Sequence, residues 1–174
     1  MKNLNSFRNL TGLLVMFLLL IPGFESKAQL KKMSDQDLTI ESTAVFHGKC
    51  SHIKSDWNET RDMIMTSVTL LPEEYMKGNL GGEVVVLVPG GRVGDIIYEV
   101  SEMPVFTEGE EVVAFVWRNP SGKNLITGGS QGRLKIHKDE LTGKKVVLKK
   151  EKDERDADEP LESYVEKVKG YAKN

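Results

Sequence analysis

His47, Cys50 and His52 fall within six residues, and imidazole nitrogen with thiolate sulfur is the donor set that zinc and copper favour. On a straight strand Cys50 and His52 share one face and His47 points to the other, so the three converge only if Gly48 marks a bulge. A fourth ligand would be His137 or an acid such as Asp56. The plainer reading is a strand end that carries exposed histidines.

A second constellation is Asp56, Trp57, Asn58 and Arg61, read as a polar loop between two strands. The Trp57 ring offers apolar area and an N–H donor, suited to stacking on a sugar or anchoring a partner protein, and equally to covering a barrel end. The Gly90-Gly91-Arg92-Val93-Gly94 run has the glycines of an anion cradle, but phosphate loops open a helix and Asp95-Ile96-Ile97-Tyr98 does not start one. A turn is expected there, which joins Trp57 and Arg61 as a ligand-binding surface if both lie at one barrel end. Ser130 sits among glycines without the strand, sharp turn and helix that a nucleophilic serine needs. The carboxylates fall in turns and in the run from Glu151 to Glu159, and Asp153, Asp156 and Asp158 lack the glycine turn of a calcium loop. Asn58-Glu59-Thr60 matches a glycosylation acceptor, incidental in a bacterial chain. No enzyme and no cofactor are expected.

The elements that must carry these residues are mostly short strands. Ser34 to Asp37 reads as a helix start with a capping box, the helix running to about Glu41. A first strand is expected within Thr43 to Ile53. Period-two alternation over Met63 to Leu71 gives a second, half-buried one, with a helical turn or irregular chain from Pro72 to Tyr75. Val84 to Val88 is a continuous apolar run, expected to be covered on both faces, and Glu111 to Trp117 is another. Val93 to Val100 reads as a weaker strand or extended loop broken at Gly94-Asp95. Leu125 to Thr127 and Arg133 to Ile136 flank a hairpin loop at Gly128 to Gly132, and Lys145 to Leu148 closes the set. Leu161, Val165 and Val168 recur at helical spacing behind Pro160, with Gly170 able to end a short amphipathic helix.

The fold class is therefore mainly β: a small antiparallel OB-like barrel with a short N-terminal helix and a C-terminal amphipathic helix. The expected organisation is a signal peptide over 1–28, the barrel over 29–148, a charged linker over 149–160, and the helix over 161–174 packing on the barrel. Basic Lys2 and Arg8, the apolar Leu13 to Ile21 and small Ser26 and Ala28 form the order of a cleaved leader. That apolar stretch is too short to cross a bilayer, and no membrane insertion is expected after cleavage. Cleavage leaves about 146 residues with 21 basic and 25 acidic side chains, a net charge of −4. That balance argues against nucleic acid, which demands clustered Lys and Arg. The lone Cys50 excludes an internal disulfide framework, so packing must supply the stability.

Four segments together resemble a family of uncharacterised secreted bacterial β-barrel domains. They are Ser42-Thr43-Ala44-Val45-Phe46-His47-Gly48, the strand leading to Lys77-Gly78, Val86-Leu87-Val88-Pro89-Gly90-Gly91, and Phe106-Thr107-Glu108-Gly109-Glu110-Glu111-Val112. The likeness spans about residues 34 to 137. Its layout is similar to netrin-like and metalloproteinase-inhibitor modules, which have an OB-fold. Those inhibitors present an N-terminal cysteine to the protease zinc, and a chain starting at Gln29 has none. The resemblance implies an exported, periplasmic or extracellular, non-catalytic binding module for a protein or glycan. Two rival readings are a metal-binding protein using His47, Cys50 and His52, and an inhibitor or accessory of a secreted protease.

Overall fold

The computed structural model describes residues 31–148 and 159–173. The expected leader, and residues 149–158 of the linker expected over 149–160, lie outside the described residues; the last two, Glu159 and Pro160, form a short strand rather than linker. Helix α1 (Asp35–Glu41) begins as its sequence predicts: the Asp37 N–H donates to Ser34 Oγ at 3.1 Å and the Ser34 N–H to the Asp37 carboxylate at 3.2 Å. At its other end Lys77 Nζ donates to the carbonyls of Thr39 and Ile40, at 2.7 and 2.9 Å, satisfying acceptors that the helix leaves open.

The strands are β1 (Ala44–Trp57), β2 (Ile64–Lys77), β3 (Val84–Pro89), β4 (Gly91–Val93), β5 (Ile96–Tyr98), β6 (Glu111–Arg118), β7 (Asn124–Ile126), β8 (Arg133–Lys138), β9 (Lys145–Leu148) and β10 (Glu159–Pro160). Helix α2 (Leu161–Tyr171) follows β10. Five of the strands close a barrel in the order β1-β2-β3-β7-β6 and back to β1. Every step is antiparallel except β3 to β7, which run parallel at Val86 and Asn124. This is an OB-like barrel, as the strand count and spacing suggest. The edge of β6 shared with β7 goes on to carry β8, β9 and β10. No helix among the described residues is long and apolar enough to cross a membrane.

β6 explains its own sequence. Val112, Ala114 and Val116 face the barrel interior with Phe46, Cys50, Val68, Leu70, Val84 and Val86. Val113 and Phe115 face outward and are covered by Leu38 of α1 and by Tyr164, Val165 and Val168 of α2. Both faces are dry, so an uninterrupted apolar run is required. β3 has the same kind of run and a different fate: Val84, Val86 and Val88 are buried, but Val85 is 40% exposed and the outer face has no covering layer among the described residues. The expectation of burial on both faces fails there because the helices lie over β6 instead.

Three more expectations are corrected. β2 continues through Pro72 to Lys77, where a turn was expected, because it takes up extra residues of its own, Glu73 and Met76, as bulges and so stays paired with β1. The ladder shifts register between His47 and Gly48, and Gly48 faces Pro72. A Cβ on Gly48 would stand 2.9 Å from Pro72 Cα and nearer still to the Leu71 carbonyl oxygen, so this crossing needs glycine. β1 itself runs to Trp57, through residues read as a polar loop. Finally, Gly128 to Gly132 is no hairpin loop: Gly129–Gly132 is a turn of 3-10 helix, and β7 and β8 pair side by side with β6 rather than with each other.

Candidate functional site

The second half of β1 alternates after a third register shift, between Cys50 and His52. From there Ile53 and Ser55 turn inward, while Lys54 and Asp56 remain exposed. β2 sets Thr66 and Val68 beside them, Ser55 directly opposite Thr66. β3 then brings Val88 and Pro89 alongside, and the Gly90 N–H donates to the Ile64 carbonyl at 2.9 Å. Gly91, at φ +133°, lies directly over two hydroxyls: a Cβ there would stand 2.5 Å from Ser55 Oγ and closer to Thr66 Oγ1. The β4–β5 hairpin, turning at Gly94-Asp95, folds over the barrel mouth and is held by Arg92 Nε, which donates to the Gly94 carbonyl at 2.9 Å.

Together with the segment from Glu99 to Phe106 these pieces enclose an open cavity of about 580 Å3. Its wall is mainly apolar, from Ile53, Val68, Val88, Met103, Pro104 and Phe106. Phe106 is fixed from behind by the Arg133 guanidinium, 5.5 Å from its ring centre, and Arg133 is in turn paired with Glu110. The lip is apolar as well and faces solvent: Val105 is 79% exposed, Ile97 59% and Tyr98 41%. The size and the few polar groups set in an apolar wall are those of a small-molecule site.

Of the predicted surface, Gly90, Gly91 and Arg92 line this cavity. Trp57 and Arg61 do not. Trp57 ends β1 half-buried opposite Ile64, and the Ile64 carbonyl receives the Gly90 N–H, so both groups occupy one end of the barrel. Arg61 is exposed at φ +58°, in a loop pinned by its own side chains: Asn58 Nδ2 and Thr60 Oγ1 donate to Asp62 at 2.6 and 2.8 Å. Those bonds hold the Asp62 carboxyl below its ordinary pKa. The missed residues are Ile53, Ser55, Thr66, Met103, Val105, Phe106 and the hairpin's Ile97 and Tyr98. Alternation around Ser55 and Thr66 was the one signal that could have found any of them.

His47, Cys50 and His52 are not brought together. A register shift falls at Gly48, but its extra residue, Glu73, is on β2; the bulge on β1 is at Ser51, and it reverses the face of everything after it. Cys50 is fully buried in the barrel core, where desolvation, with Glu110 and Glu108 nearby, pushes its thiol pKa up and keeps it protonated. His52 is exposed, its Nδ1 3.0 Å from Glu108. His47 is only 5% exposed, in a cleft of about 430 Å3 between the sheet and α2 that Glu73, Glu74, Glu162 and Glu166 also line. Its Nε2 is 3.6 Å from Glu111 and 3.7 Å from Glu73, beyond good hydrogen-bond reach. Among the described residues no group of three His, Cys, Asp or Glu side chains is arranged to hold a metal ion.

Comparison with known proteins adds no relative: no protein-family model matches the chain, and no curated protein matches it.

Proposed function

We propose that this chain is an exported, non-catalytic binding module whose ligand enters the cavity at the barrel mouth. The observation that carries this reading is the pairing of a preformed apolar cavity with an apolar lip left in solvent at Ile97, Tyr98 and Val105. Scattered single apolar residues on a surface need no reason, but a contiguous set around a cavity marks an interaction site. An apolar wall favours an apolar ligand, or an apolar segment of a partner protein, over a glycan, whose ring hydroxyls would go unpaired. Non-catalytic action is supported by the lining: its one serine, Ser55, bonds to a threonine rather than to a base. Export and the tie to the secreted barrel domains are supported by the leader pattern and the four shared segments.

Titration with an apolar fluorescent dye tests the site. Saturable binding is expected, weakened several-fold in Ile97→Lys and Val105→Lys proteins that melt at the parent temperature. Undiminished binding in both variants would remove the mouth as the site.

A further inference from the structure

Resting on that reading of the cavity, we infer that its ligand is a small, neutral, apolar molecule that carries one O–H or N–H hydrogen to the Ser55–Thr66 pair. A hydroxyl owns a single hydrogen. Thr66 gives its hydrogen to the Gly90 carbonyl at 2.6 Å, so in the 2.8 Å contact between Ser55 and Thr66 it is Ser55 that donates. Neither hydroxyl has a hydrogen left. These two hydroxyls therefore offer the cavity oxygen lone pairs alone, in a wall that Ile53, Val68, Val88 and Phe106 also line.

An acceptor facing apolar walls is stabilised by whatever donor arrives, and a ligand that brings none leaves it unpaired. A ligand O–H would extend one chain of bonds running in a single direction, from ligand to Ser55, to Thr66, to the Gly90 carbonyl, each link polarising the next. Gly91 holds that chain in place, because its backbone lies where a side chain would displace both hydroxyls. At the rim Arg92 and Glu99 are both exposed and opposite in charge, so a net charge on the ligand gains little there.

Calorimetric titration of the full chain with naphthalene, naphthol and naphthol methyl ether separates the two claims. Naphthol is expected to bind about fivefold more tightly than its methyl ether, the worth of one neutral hydrogen bond. Equal affinity for naphthol and the ether would overturn the donor requirement and leave the cavity reading standing. Failure of all three to bind would overturn both. The doubly substituted Ser55→Ala, Thr66→Val protein should bind the three alike. If it melts like the parent and still prefers naphthol, the Ser55–Thr66 pair is not the acceptor and the inference falls.

Discussion

Two tyrosines mark the contrast between the helix-covered face of the barrel and its mouth. Tyr164 of α2 is fully buried against Val113 and Phe115, whereas Tyr98 of the β4–β5 hairpin stands 41% exposed beside Ile97. Both regions use aliphatic side chains and an aromatic ring. On the covered face the chain supplies its own second layer; at the mouth it stops short. Apolar area kept in water stabilises nothing in the free protein, so the covered face reads as the stability device and the mouth as the device for something else.

The strongest way to sharpen that division is Phe115→Ala, which leaves a cavity under α2. Urea unfolding should show a loss of about 3–5 kcal/mol, a large share of the 5–15 kcal/mol typical of a domain, while the folded protein still binds naphthol. A change in naphthol affinity as large as the change in stability would break the division. Gly91→Ala bridges the two regions: the left-handed φ and the overlap with Ser55 and Thr66 should cost about 1–3 kcal/mol and also reduce binding, measured on the same protein. Ile97→Ser and Val105→Ser come next, with stability unchanged to within about 0.5 kcal/mol and naphthol affinity lowered several-fold. A destabilisation matching that of Phe115→Ala would mean that the lip is core after all.

Acid provides the smallest effect. Burial alone would raise the Glu111 pKa, but the Lys145 hydrogen bond and charge, with His47 beside it, hold it below the ordinary 4.5. A depressed carboxyl contributes stability above the unfolded value, lost as pH falls through the folded one. Urea midpoints should therefore decline slightly below pH 4.5, and Lys145→Ala should flatten that decline. Naphthol binding, remote from this pair, should not follow it.

The fold was more legible than the site because patterning records burial and little else. β6 declares itself by six apolar positions between Glu111 and Arg118, and α1 by Ser34 and Asp37. β3 misleads because Val85 and Leu87 look like core in one dimension, and only the placement of α1 and α2 over β6 decides which valines are covered. The length of β1 was hidden by Ser55 and Asp56, whose polar side chains look like a loop until Thr66 is set opposite. At the site, Gly90, Gly91 and Arg92 were marked by turn chemistry. Ser55, Thr66 and Phe106 come from three separate segments, and closure of the barrel alone puts them around one space. The metal trio failed for a local reason: one extra residue at Ser51 exchanges inside for outside, and no residue type announces it.

Cys50 makes the barrel its own clock. The sulfur lies in the barrel core, fully buried and protonated, while its backbone N–H and carbonyl are tied to Glu110 and Gly109, just ahead of β6, at 2.9 and 2.8 Å. A thiol reagent in the solvent can therefore react only when that seam parts. The speed of labelling then times how often the strands separate, without any probe being built into the protein.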